Sequence, residues 1–437
     1  MATVSPEPVP ERTPPKPPAG LSGSPLRRRE EGVPPAGPLA RPAAIREGRL
    51  GSIDALRGIA MILMALDHVR DFVHAAAMSF SPTDLGRTSA LIFVTRWVTH
   101  FCAPTFAFTA GIGAFLWARR GRTTFELSGF LLSRGLWLML LEVTLLRFLL
   151  FFDAQFQGGG FILTILWVLG LSMMALAALV HLGNRALLLL SLVTIAFHNA
   201  LDGLSARSFG RFDWAFDLLH RPGAFQIGSA TLRVAYPLIP WVAVMAAGYC
   251  LGPVFAWEPE RRQRLLLSLG VAVTGAFLVL RAANVYGDPR PWSHQDSPVF
   301  TLLSFLNCTK YPPSLAFLLM TLGPALALMA VLERLSLTPG NALVVFGRVP
   351  LFFFILHMGL AHLIALGLGF LRYGAQHFLV IPAPSMGGSP DDFPQGYGYD
   401  LGVVYLAWIA VVAILYPACR WFARVKAEKR SPWLSYL

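Results

Sequence analysis

Apolar residues fall in long runs, each separated from the next by a short polar or basic stretch. A helix needs about 20 mostly apolar residues to cross a bilayer. Runs of that order lie at 53–73, 91–117, 130–152, 161–181, 185–202, 231–254, 265–284, 312–333, 342–370 and 401–423. The pattern predicts an all-α, polytopic membrane bundle of about ten transmembrane helices over residues 51–425, followed by a short cytoplasmic tail at 426–437. Residues 1–50 break the pattern. They are Pro-rich and poor in apolar side chains, so they predict a disordered cytoplasmic tail, without the apolar core of a secretion signal. No internal repeat is visible, which argues against the transporter folds that are built from repeats.

Composition agrees with the pattern. The 437 residues are 55% hydrophobic and 14% charged, where an average soluble domain carries about 25% charged residues. A net charge of +12 raises the question of nucleic acid. The basic residues sit beside apolar runs, as "RRR" (27–29), "RRGR" (119–122), "RRQR" (261–264) and "RVKAEKR" (424–430). That is the distribution of topology signals in cytoplasmic loops, and nucleic acid is excluded as a partner. Both termini then lie inside, with 74–90, 203–230, 285–311 and 371–400 outside, in a multi-pass protein of the cell (inner) membrane. Cys102, Cys250, Cys308 and Cys419 are widely spaced and lie in or beside apolar runs, so neither a disulfide framework nor a metal site is implied. There is no P-loop and no HExxH. Gly/Ala pairs such as "GIGAF" and "GPALA" read as close helix packing.

The first run carries the candidate chemistry. Asp54, Arg57, Met61, Met64, His68 and Asp71 recur at the three-and-four spacing of one helix face. Asp67, Arg70 and His74 flank the outer end. The bland reading places Asp54 and Arg57 at the inner boundary and Asp71 and His74 in water. Asp67 and His68 precede the end of the span, and ionisable groups within a membrane usually pair and face a cavity. An Asp67–Arg70 or Asp71–Arg70 pair would hold the charge and leave His68 as a proton acceptor raised in pKa by a carboxylate.

Other polar positions follow. Arg96 and His100 share a face near the outer end of the second run, where Pro104 predicts a kink. Glu142 and Arg147 read as contacts to other helices. Lys310 and Tyr311 precede a Pro-Pro helix start, where Lys310 can hold an anionic group. "DPRPWSHQD" (288–296) has the aromatic and carboxylate groups of a sugar-binding surface. Arg348 stands at the inner mouth of the ninth run, with His357 roughly 10 Å inside it. That spacing suggests an inner vestibule for an anionic ligand, the alternative for His357 being a core histidine bonded to a neighbouring helix.

"RLGSIDALRGIAMILMALDHVRDF", "TRWVTHFCAPTFAFTAG" and "FGRVPLFFFILH" resemble the bacterial branch of the heparan-α-glucosaminide N-acetyltransferase-like membrane proteins, within a wider group of transmembrane acyltransferases. The likeness spans all the apolar runs. It implies acetyl transfer from cytosolic acetyl-CoA to an amino sugar or glycan on the extracytoplasmic side, with no metal. In the animal enzyme an Asn stands at the place of His68 and a loop histidine slightly further on is held to be catalytic; His74 is its nearest counterpart here. The resemblance thus implies His68, Asp67, Asp71 and His74 as the catalytic group. Arg57, Arg348 and His357 would hold the acyl-CoA, with Met61 and Met64 along its pantetheine arm. Arg70, Arg96, His100 and Lys310 would bind the acceptor. The remaining partners are the lipid bilayer and, as an assembly, a homodimer. A transporter or exporter of an envelope precursor using the same stripe is the rival reading, and an assembly scaffold a third.

Overall fold

The structure, a computed structural model, describes residues 51–152, 160–228, 230–374, 396–429 and the single positions 391, 431, 434 and 436. The expected tail at 1–50 lies outside the described residues, as does most of the loop after residue 374. The rest is an all-α polytopic membrane bundle.

Helix α1 (Gly51–Val73) is followed by α2 (Ala90–Thr99) and α3 (Cys102–Ala118), then α4 (Thr124–Leu141) and α5 (Arg147–Phe151). Next come β1 (Phe161–Leu163), α6 (Ile165–Leu179), α7 (Asn184–Phe197), α8 (Asp213–Leu219), β2 (Gly223–Ile227), β3 (Ala230–Val234) and α9 (Ile239–Leu251). The chain ends with α10 (Pro259–Ala283), α11 (Pro298–Leu306), α12 (Leu315–Leu332), α13 (Ala342–Arg348), α14 (Pro350–Tyr373) and α15 (Leu401–Glu428). Nine helical stretches among the described residues are long and apolar enough to cross a bilayer. Helix α1 is not among them, because Asp54, Arg57, Asp67, Arg70 and Asp71 charge its 23 residues. It is nevertheless central, packing against α3, α12, α13, α14 and α15. Lipid is replaced there by protein partners that satisfy the charges.

Four expected spans are interrupted, the one at 161–181 because it opens as β1. The second breaks at His100, four residues before Pro104, because proline has no N–H to give the His100 carbonyl. The ninth breaks at Val349, before Pro350, so Arg348 ends one helix and does not open another. The run expected at 231–254 opens as β3, which pairs antiparallel with β2 and parallel with β1 in a small sheet. Alternating apolar residues in "TLRVAY" serve a strand as well as a helix start, which is why the run read as continuous.

Close crossings place α1. A Cβ on Gly58 would meet the Leu343 carbonyl oxygen at 1.9 Å, and one on Gly347 would meet that of Asp54 at 1.6 Å. Only glycine lets α13 lie this close to α1. Gly111 of "GIGAF" does the same for α3 against α9, where the Met245 carbonyl oxygen stands 1.9 Å from a Cβ.

The candidate active site

At the Val73 end of α1 the bundle opens into a cavity of about 780 Å³. Its floor is Asp67, His68, Arg70 and Asp71. The loop after α1 and the segment between α11 and α12 meet above it, where the Asn307 amide donates to the Thr83 carbonyl at 2.9 Å. Leu146, Leu150, Ile162, Phe354 and Met358 give it an apolar wall.

The carboxylates pair with arginines. Asp67 accepts from Arg96 of α2 and lies 3.0 Å from Arg70, which in turn reaches Asp71 at 2.5 Å. Arg70 is 2% exposed, so its charge depends on these partners. Of the two pairings the spacing allowed for Arg70, it makes both. The carboxylates therefore hold arginines, and the ring of His68 meets a different partner.

His68 is positioned from elsewhere. Its Nδ1 lies 2.7 Å from Nε2 of His357 on α14, and the rings are nearly parallel, 8° apart. Nδ1 of His357 lies 2.9 Å from the Phe353 carbonyl oxygen. A carbonyl only accepts, so with both rings neutral Nδ1 of His357 carries its proton. Its Nε2 then accepts, and Nδ1 of His68 donates to it. The lone pair of His68 is thereby fixed on Nε2. Of the two readings of His357, the structure shows the histidine bonded to a neighbouring helix: it is completely buried, both its nitrogens are engaged, and it meets His68 at the outer end of α1.

The other expected residues divide. His100 lines the cavity and packs against Phe317 with ring centroids 5.3 Å apart. Lys310 lines it too, its Nζ 5.2 Å from the centre of the Tyr311 ring. His74 does not line the cavity. Its backbone joins that of Tyr399, and its ring is 5% exposed. Burial and then Arg70 hold His74 below the ordinary histidine value, against the pull of Asp400. Arg57 and Arg348 are remote. Arg57 donates from Nε to the Thr109 hydroxyl at 3.0 Å and also to the Thr109 carbonyl; Arg348 lies 3.7 Å from Asp54.

Two further readings are settled by the geometry. Glu142, in a wide π-type turn between α4 and α5, accepts from the N–H groups of Thr164 (2.6 Å) and Trp167 (3.1 Å), capping the start of α6. Arg147 donates to the Gly160 carbonyl at 3.2 Å. Trp292, expected on a sugar-binding surface, instead fastens its loop, donating from Nε1 to the Arg281 carbonyl at 2.8 Å; Arg290 does reach the cavity. Tyr236 lines the cavity and was hidden inside an expected span, although "YPLIP" carries the two prolines of a helix start.

Residues 49–280, just over half of the chain, match the family described as heparan-alpha-glucosaminide N-acetyltransferase, catalytic. The match includes the whole of α1 and α2; Lys310, Tyr311, Arg348 and His357 lie beyond it. No curated protein matches the chain.

Proposed function

The chain belongs to the heparan-alpha-glucosaminide N-acetyltransferase family, and on that premise we propose that His68 is the general base of a membrane acetyltransfer. The donor is acetyl-CoA from the cytosol. The acceptor is the amine of an amino sugar or glycan entering the cavity from the extracytoplasmic side. One observation carries the reading: His68, its Nδ1 2.7 Å from Nε2 of a second histidine, lines the cavity, which leaves its Nε2 to act as the base.

In the reaction the acceptor nitrogen attacks the thioester carbonyl carbon, forming a C–N bond as the carbonyl π pair moves to oxygen. Nε2 of His68 takes the proton that the nitrogen sheds. Collapse of the tetrahedral adduct breaks the C–S bond, and its electron pair stays on sulfur. The sulfur takes up a proton, so that CoA leaves as the thiol and the proton held by His68 returns to the balance. His357 holds the imidazole in register throughout and supports the imidazolium through its Nε2 lone pair. Arg70 and Arg96 pair with Asp67 and Asp71, which holds this charge cluster beside the base. Lys310 and Arg290 leave positive charge at the cavity wall for an anionic group on the acceptor. Arg57 and Arg348, at the other end of α1, suit the CoA phosphates, since a guanidinium matches phosphate in two-point geometry.

The test is purified protein with labelled acetyl-CoA and glucosamine, read by mass spectrometry of the product. General-base assistance contributes about 10²–10⁴-fold. His68→Ala should lower turnover by that order while leaving acetyl-CoA binding unchanged. His74→Ala should keep turnover within a few-fold. Loss of turnover in His74→Ala together with near-full turnover in His68→Asn would move the base to His74.

A further inference from the structure

The cavity holds a second proton-bearing pair that the general base leaves unused. Tyr311, in the segment before α12, and Tyr236, in the turn before α9, both line it, with their hydroxyl oxygens 3.2 Å apart and hydrogen-bonded. The rings meet edge to face, centroids 5.0 Å apart at 85°. Tyr236 also packs on the fully buried Trp241, centroids 5.7 Å apart, so the pair is anchored to α9. Tyr311 is 38% exposed, and Lys310 stands over its ring. The pair satisfies one hydroxyl with the other without needing a cavity, yet both rings open onto the one that holds His68.

Resting on the acetyltransfer reading, we propose that Tyr311 is the general acid of the reaction, donating its phenolic proton to the sulfur of the departing CoA. Acyl transfer to an amine needs two proton movements. Nitrogen loses a proton and sulfur gains one. His68 accounts for the first. For the second, the C–S bond breaks, its electron pair stays on sulfur, and the Tyr311 O–H proton passes to it. The tyrosinate left behind is then reprotonated by the His68 imidazolium through water in the cavity, so the enzyme returns to its starting state and no co-reactant is consumed.

The surroundings make the Tyr311 hydroxyl a stronger acid than an ordinary tyrosine. Four groups bear on Tyr311: Lys310 on its own segment, Arg96 on α2, Asp67 on α1 and Tyr236 before α9. Burial raises its hydroxyl, but Lys310, Arg96 and the hydrogen bond with Tyr236 outweigh it, and the net position is below the ordinary tyrosine value. Tyr236, raised by burial and by Tyr311, keeps its own proton and can donate it to a tyrosinate oxygen. A general acid works best when its pKa lies near the operating pH, so a lowered tyrosine serves better than an ordinary one.

The experiment compares leaving groups. With acetyl-CoA, Tyr311→Phe should lose about 10²–10⁴-fold in kcat with little change in KM, and the alkaline limb of the pH profile should disappear. With an acetyl thioester of an acidic aryl thiol, which leaves without a proton, Tyr311→Phe should turn over within a few-fold of wild type. His68→Ala should fail with both donors. Equal losses with the two donors would mean that Tyr311 is merely structural, and full activity of Tyr311→Phe with acetyl-CoA would overturn the assignment. Either result leaves the acetyltransfer reading standing. Absence of acetyl transfer by the wild type from both donors would instead remove that reading.

Discussion

A histidine facing a cavity is a base only if its proton sits on the other nitrogen. In this chain that condition is met by His357, 289 positions along the sequence, through a 2.7 Å contact. Helical spacing showed that His68 shares a stripe with Asp54, Arg57 and Asp71, because such spacing is a property of one helix. It had no means of showing which side chain of another helix would meet it. The carboxylates next to His68 therefore looked like its partners, while the arginines claim them. The same blindness put His357 beside Arg348, nine residues back, when its ring reaches toward α1. If His357 fixes the tautomer, its removal should act on rate and not on fold alone. His357→Gln keeps an acceptor for the His68 Nδ1–H, whereas His357→Leu does not. Small misplacements of a reacting group cost up to about 10²-fold. We expect His357→Leu to lose roughly that in kcat and His357→Gln to recover a large part of it. Leu and Gln variants of equal activity, both folded by thermal denaturation, would remove the role.

At the scale of elements, helix number and order were legible because a bilayer demands about 20 apolar residues per crossing. Interruptions were less so, since a run read as one helix can hide a strand, as β3 is hidden, or a break at proline, as between α13 and α14. What shaped the cavity roof was hardly legible at all. Arg281, at the end of α10, donates to the carbonyls of Phe305 (2.9 Å), Arg290 (2.9 Å), Ser304 (3.2 Å) and Asn307 (3.1 Å). Asp288 accepts from the Thr309 N–H (2.8 Å) and hydroxyl (2.9 Å) and from the Ser314 hydroxyl (2.7 Å), and lies 3.9 Å from Arg281. The two side chains are 3% and 2% exposed, so this is a buried clamp that fixes the segment carrying Lys310 and Tyr311. Stripping one partner from a buried charge pair costs about 3–5 kcal/mol, and the long Arg281–Asp288 separation argues for the lower end. Asp288→Ala should therefore unfold at a clearly lower temperature in detergent, with Asp288→Asn between it and wild type. The acceptor KM of Asp288→Asn should rise as Lys310 loses its anchor. An Asp288→Ala protein that melts with the wild type would show that the clamp carries no weight.

On the proposed reading, the whole molecule has the harder task of passing an acetyl group across the membrane. The cavity lies at one end of α1, and Arg57, Arg348 and Asp54 lie at the other. Arg57 and His68 are separated by eleven residues, about 16 Å along a helix. Between them Met61 and Met64 are 3% and 6% exposed, so packed side chains close the stripe. Methionine is the side chain best suited to part for a narrow flexible arm, being unbranched and free to change rotamer. Donor and acceptor are thus expected to arrive from opposite faces, the donor from the side on which the basic loops lie. Vesicles reconstituted with the protein test this directly. Glucosamine is sealed in the lumen, and acetyl-CoA labelled in its acetyl group is added outside only. Molecules whose Arg348 end faces outward should deposit label on the enclosed sugar and leave free CoA outside. Arg348→Ala should weaken acetyl-CoA binding at least tenfold and slow this transfer, with Arg348→Lys between it and wild type, because lysine keeps the charge but not the two-point geometry. Acetylation only when both substrates share one side would place them in a common vestibule. Passage of glucosamine itself, with acetyl-CoA unspent, would make the stripe of α1 a transport path.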